Sequence, residues 1–600
     1  MAQLPLRKDV KIEDTWNLAD LVPNEETFTT QLDALVAEAK SFESEFIGSL
    51  TTAPIIIDAL NTYEVLYEKL VILSTYANLS LQEDRGNGEA QMRYAKTGNH
   101  LSTVFSSITF LKSELLALPK EVLEEAKKLN EKHALFIKDL LRDKPYQLHP
   151  EVEKALATLS MTLDAPYDLY NTIKSVDMSF PNFEVNGESL PLSYSSFENE
   201  WELEVDVDKR RAAFKGFSEK LKDYQSTTAQ VYNTHVQTEK KLATMRGYDS
   251  VFDSLLHNQY VERDLYNRQI DVITKELAPH MRRYATLLKE VHGLDKMTFA
   301  DLKIALDPAF DPEVSKEEAL DYVRQAVAPM GQDYLDMVEE SFANRWIDYA
   351  PNQGKSTGAF CSSPYGSHPY ILVSWSNKMT DVFTLIHELG HAGHFVNAHK
   401  KQSIFNSRPS LYFIEAPSTM NEMLLANHLL KSSEDLRFKR WVISNIISKT
   451  YYHNFVTHLL EAAYQREVYN LVDKGEAVNA SILNDIKRKV LEEFWGDAVE
   501  ITEGAELTWM RQPHYYMGLY PYTYSAGLTI STQVSQRILN GEEDVIEQWL
   551  EVLQAGGTKS PAELAQMAGV DVSTDEPLRQ TVAHIGSLIT QLEELTKEIG

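Results

Sequence analysis

Six hundred residues contain a single cysteine, Cys361. One thiol excludes a disulfide within the chain, a cysteine-based zinc finger and an iron–sulfur cluster. Glycine and proline are also scarce, at 25 and 22 residues, against average usages of about 7% and 5%. A long chain with few breakers favours long helices. Basic side chains fall short of acidic ones, 58 against 88, for a formal charge of −30. That field repels phosphate backbones and anionic headgroups, which argues against nucleic acid and membranes as partners. Long apolar runs are missing as well. The richest patches, Ala53–Leu60 and Leu70–Leu73, fall far short of the roughly 18 apolar residues that span a bilayer. The first residues lack a secretory signal pattern, so the expected compartment is the cytoplasm.

What is present is a helical rhythm. Leu32, Leu35, Val36 and Ala39 step at helical spacing, as do Ile57, Leu60, Tyr63, Leu66 and Leu70. Similar stretches predict helices near 115–130, 150–163, 209–245, 262–292 and 315–345. Two places break the rhythm. Residues 176–194 alternate around Asn186-Gly187, which predicts a β-hairpin. Gly354, Gly358 and Gly366 punctuate a loop leading to the apolar run Tyr370–Val373, read as a short strand. That strand is either an ordinary buried one or a template for an extended peptide. No long Pro/Gly/Ser linker separates independent domains.

The chemistry begins at His387-Glu388-Leu389-Gly390-His391. On a helix, residues four apart share a face, so both imidazoles reach one ion while Glu388 stands beside it as a base for an attacking water. The helix is expected independently of the motif: Met379, Val382, Phe383, Ile386, Leu389 and Gly390 make an apolar or small face, with Thr380 as the expected N-cap. A pentapeptide alone is also compatible with a solvated surface helix. The third ligand weighs against that reading. Glu415 stands just ahead of a helix expected from Pro417, far enough along for the chain to turn and come back. Two His and one Glu leave a fourth zinc position open, the catalytic pattern. His394 competes as a ligand but is read as a neighbour in the cleft. The metzincin layout fails because His394 and Asn397 stand where that class has Gly and His. Glu422 either accepts the free N–H of a ligating imidazole or is an exposed carboxylate. Cys361 has no base beside it and is read as a plain thiol.

A tyrosine-rich block follows, Arg511-Gln-Pro-His514-Tyr515-Tyr516-Met-Gly-Leu-Tyr520-Pro-Tyr522-Thr-Tyr524. Each buried hydroxyl needs a partner, so the block is hard to read as plain core. The functional reading is a phenol that donates to the oxyanion of peptide hydrolysis; the expected donor is Tyr522, with His514 holding the substrate or the same oxyanion.

His387 to His394 with Glu415-Ala-Pro-Ser, together with Glu13-Asp-Thr-Trp16-Asn-Leu18, Lys355-Ser-Thr-Gly358-Ala-Phe360 and His368-Pro-Tyr370-Ile-Leu372, resembles the oligoendopeptidase F family, relatives of thimet oligopeptidase and neurolysin. The resemblance covers nearly the whole chain. It implies a mainly α fold: an elongated, two-lobed helical body with a small β-element and a deep central channel, the zinc on its floor. The expected division is 1–200, an N-terminal helical region with the hairpin, and 201–600, the catalytic region. The resemblance implies one zinc ion per chain held by His387, His391 and Glu415, with Glu388 as base. The expected function is endopeptidase cleavage of short unstructured peptides. The alternatives are a zinc carboxypeptidase or aminopeptidase, or a non-catalytic peptide-binding protein with a structural zinc. Excess acid lining the channel would favour basic or neutral peptides over acidic ones.

Overall fold

The computed structural model describes residues 4–600. Near the N-terminus, the helices Glu25–Phe46, Ala53–Glu83 and Gly88–Ala117 pack on one another. Asn24 caps the first by accepting from the Thr27 amide, and Asn87 caps the third by accepting from Glu89 and Ala90. Their apolar faces, including Leu32, Leu35, Ala39, Leu60, Leu66 and Leu70, merge into one buried cluster. A larger cluster runs from Phe183 to Leu592.

The helices expected at 209–245 and 262–292 are Val207–Met245 and Arg263–Val291. Other expectations are too long. The 115–130 stretch is cut at Leu118-Pro119, between Gly88–Ala117 and Lys120–Leu129. The 150–163 stretch divides into Pro150–Thr158 and Ser160–Thr172. The 315–345 stretch divides into Lys316–Val327 and Gln332–Ala343. Between that last pair Pro329 lacks the N–H needed to continue a helix, and Gly331 turns the chain at φ +88°.

The hairpin is shorter than 176–194. Strands β1 (Phe183–Val185) and β2 (Glu188–Leu190) pair antiparallel, Phe183 opposite Leu190. Asn186 and Gly187 take φ of 52° and 81°, both positive as a type I′ turn requires. A second sheet has three strands, β3 (Ile347–Asp348), β4 (Phe360–Ser362) and β5 (Tyr370–Leu372), in the order β3-β5-β4. The central place of β5 corrects the idea that it templates a peptide, because both of its edges are already paired. Trp16 locks this sheet from outside. Its ring lies 6.2 Å from those of Phe360 and Tyr370, and its Nε1 donates to Glu83 at 2.5 Å. Lys355 makes a buried 2.7 Å ion pair with Asp348, which also holds Arg7. From this sheet the chain enters the helix Met379–Lys401.

Candidate metal centre

The Met379–Lys401 helix buries Met379, Val382, Phe383, Ile386 and Leu389, the apolar face read from the sequence. Thr380 is not its cap. That hydroxyl donates to Asp311 at 2.7 Å, whereas Asp381 accepts from the amides of Ser376 and Lys378 at 2.7 and 3.1 Å.

His387 and His391 present their Nε2 atoms to one carboxylate oxygen. Glu415 Oε2 lies 3.5 Å from His387 Nε2 and 3.4 Å from His391 Nε2. Ligand atoms bonded at about 2.0–2.1 Å to one tetrahedral zinc stand roughly 3.4 Å apart. The three side chains therefore fit a zinc ion in both chemistry and spacing. Two of the three donors are held by further contacts. His387 Nδ1 meets Glu422 Oε1 at 2.6 Å, and the Thr450 hydroxyl donates to the other Glu422 oxygen. Ser418 Oγ donates to Glu415 Oε2 at 2.9 Å. Of the two readings of Glu422, the contact with an imidazole is the one observed.

Two glycines allow this approach. Glu415 immediately precedes the helix Ala416–Ser432, which lies between the His387 helix and the helix Tyr522–Leu539. A Cβ on Gly390 would stand 2.5 Å from the Pro417 carbonyl oxygen, and one on Gly527 2.9 Å from the Ala416 nitrogen. A side chain at Gly390 would push the start of that helix away from the imidazoles, and one at Gly527 would displace Glu415 from the opposite side.

Glu388 is 6% exposed. Burial raises its pKa by more than His387 and His391 lower it. Burial likewise favours protonation of Glu415, but there His391 and His387 prevail and hold the carboxylate well below its usual range. Cys361 sits on β4, and burial pushes its thiol far up, so it stays protonated and unreactive.

His394 departs from the cleft position expected of it. It is fully buried, neither ring nitrogen has a hydrogen-bond partner among the described residues, and burial lowers its pKa to about 3. It packs as a neutral ring against Phe395 and Phe413.

Tyr522 also needs correcting. Its hydroxyl donates to Gln259 Oε1 at 2.6 Å, and its ring is buried between Tyr266 and Tyr412. It opens the helix Tyr522–Leu539, where a step of two residues turns about 200°, so Tyr522 and Tyr524 face opposite ways. Tyr520 and Tyr524 are the phenols that feel the Glu415 charge. The Tyr524 hydroxyl lies 3.4 Å from His514 Nε2, and His514 stacks on Tyr520 at 5.4 Å. Burial drops the His514 pKa to about 4. Arg511 is paired with Glu198 and Glu202 at 3.0 and 2.5 Å.

The structure adds a group that the sequence reading missed. Glu461 Oε2 lies 2.7 Å from His458 Nδ1, and His458 Nε2 lies 3.0 Å from His453 Nε2. Tyr524 stacks on His458 at 4.0 Å. Five residues separate His453 from His458, a spacing that places them on different faces of an α-helix. They meet because Ile446–Thr457 is a π-helix, whose hydrogen bonds span five residues.

Residues 204–584 match the model of peptidase family M3, and residues 114–180 match that of oligopeptidase F. The chain belongs to peptidase family M3. Within M3, the oligopeptidase F group contains its relatives. Oligopeptidase PepF of Bacillus subtilis is 28% identical over 100% of this chain and 89% of its own. An oligoendopeptidase F homologue of Lactococcus lactis is 24% identical over 99% of both. The crystal structure of oligoendopeptidase-F from Enterococcus faecium superposes with a TM-score of 0.75 at 24% identity, covering 96% of this chain and 99% of that one. The protein is thus a mainly helical M3 metallopeptidase, and the M3 family implies zinc. No single helix among the described residues is long and apolar enough to cross a membrane.

Proposed function

We propose that this M3 peptidase is a zinc endopeptidase that cuts internal bonds of short, unstructured peptides. The observation that carries this reading is the convergence of His387, His391 and Glu415 at 3.4–3.5 Å with Glu388 buried beside them. His387, His391 and Glu415 hold one ion per chain. When bound, zinc polarises the scissile carbonyl and lowers the pKa of water toward about 7. Glu388 takes the proton of the attacking water and returns it to the leaving amine; its burial-raised pKa suits both transfers. In place of Tyr522, the Tyr520 and Tyr524 hydroxyls donate to the developing oxyanion, with His514 orienting Tyr524. Region 201–600 forms a channel that admits only narrow, unfolded chains to the zinc site, and 1–200 is the N-terminal helical region with the hairpin. The cytoplasm suits the lone free thiol.

The test uses a peptide with both ends blocked. Internal cleavage by the zinc-loaded enzyme, abolished by a chelator, is expected by mass spectrometry. End-trimming of free peptides with silence on the blocked one would instead assign an exopeptidase.

A further inference from the structure

A cavity of about 80 Å³ lies beside the Glu461–His458 pair, and Glu461 is part of its lining. One water needs about 10–15 Å³ by the same measure, so a small side chain with a polar end fits. Its walls are largely apolar: Phe197, Phe214, Phe299, Tyr452 and Trp495. Most charges at its surface are already matched. Arg210 pairs with Asp301 at 2.6 Å, Lys303 with Glu202 at 2.7 Å, Arg511 with Glu198 and Glu202, and Glu461 with His458.

Lys487 is the exception. It is 4% exposed and lines the cavity. No hydrogen bond or ion pair joins its ammonium to a described residue, and its one recorded contact is the Tyr464 ring, 5.7 Å from the nitrogen. Burying an ammonium without a partner is costly. The lysine could be neutralised instead, but burial lowers its pKa only to about 8, with Glu461 opposing the drop. It remains mainly charged at neutral pH. In a chain of net charge −30, this buried ammonium has no ion pair, and only Glu461 offsets its charge at longer range.

We infer that the cavity binds a carboxylate of the peptide substrate on Lys487, with the apolar part of the same residue against Phe197, Phe214 and Phe299. An α-carboxylate belongs to the C-terminal side of the scissile bond, so the cavity reads the end of the peptide toward which the leaving amine departs. Glu461 is itself engaged by the His458 ring at 2.7 Å. The neighbouring network runs from Glu461 through His458 to Tyr524 and His514, which ties the cavity to the proposed oxyanion donors. This inference rests on the peptidase reading and adds a selectivity that reading does not contain.

The experiment uses full-length, zinc-loaded enzyme and quenched peptides sharing one scissile bond. One pair ends in phenylalanine as free acid or amide. A second pair is amidated and carries Glu or Gln at that position, so the source of the carboxylate is distinguished. Wild type should prefer a carboxylate in at least one pair by about tenfold in kcat/KM, mostly through KM. Lys487→Met should bring that ratio to about one, and Lys487→Arg should preserve most of it. Zinc content and the melting curve report whether each variant folds. Independently of any Lys487 variant, calorimetry on Glu388→Gln should show N-acetylphenylalanine binding at least tenfold tighter than its amide or, if only the Glu/Gln pair discriminates, N-acetylglutamate amide binding tighter than N-acetylglutamine amide. Equal rates within both pairs for wild type, or a preference that survives Lys487→Met, would overturn the inference. Cleavage of none of the four peptides would overturn the peptidase reading instead.

Discussion

Two clusters in this molecule each bring two histidines and a glutamate within 4.8 Å, yet they differ in what their nitrogens have left to offer. At His387, Nδ1 is engaged by Glu422 and Nε2 is left facing His391 and Glu415 across 3.4–3.5 Å. At His458, Nδ1 is already 2.7 Å from Glu461 and Nε2 3.0 Å from His453. The first cluster has room for an ion among its donors, whereas in the second, His458, Glu461 and His514, both nitrogens of His458 are already engaged. Ligand type and proximity are therefore insufficient to define a metal site; a spare lone pair on every donor is also required.

The largest effect should come from metal content. Glu415→Ala should lose the ion, whereas His458→Ala should retain one zinc per chain by elemental analysis. A second equivalent in wild type that disappears in His458→Ala would break the comparison. Next is Glu388→Gln, which should keep its zinc and lose about 10²–10⁴-fold in turnover on a quenched peptide. Full activity in that variant would remove the base from the mechanism.

Tyr524→Phe and Tyr520→Phe should each cost up to about 10²–10³-fold in kcat if their hydroxyls meet the oxyanion. Tyr522→Phe should leave kcat near wild type and instead lower stability by about 1–3 kcal/mol, because Gln259 Oε1 loses its buried donor. A smaller effect is expected at Glu422→Gln, about 10–100-fold in zinc affinity by competition with a chelator.

The mildest effect concerns pH. Burial holds His514, His399 and His584 at about 4, below the ordinary value of about 6.5. Between those values the unfolded chain binds more protons than the folded one. Their contribution to stability is therefore complete above about pH 6.5 and is lost as pH falls toward 4. A melting temperature that rises on acidification from pH 7 to 5 would contradict this.

The first cluster was legible in the sequence because it obeys ordinary helical arithmetic. His387 and His391 are one turn apart, and Glu415 leads a helix that returns alongside. The same arithmetic, once the start of the helix is fixed at Tyr522, would have set Tyr522 aside in favour of Tyr524. Without that boundary, five tyrosines in ten residues carried no phase. The helix ends blurred at Pro119 and Pro329 for a related reason: apolar periodicity passes through a proline, whereas the backbone hydrogen bonds do not. His453 and His458 stayed hidden because their spacing fits neither an α-helix nor a strand. The shared cavity of Glu461 and Lys487 was out of reach of any local pattern, since different helices supply them.

The π-helix at Ile446–Thr457 makes this wall of the molecule intolerant of length changes. Deleting one residue within it would let the strand of backbone bonds relax into α geometry, rotating Thr450 and His453 relative to Glu422 and His458. Most substitutions along this stretch alter one side chain at a time; a single codon lost here would unlink both clusters at once.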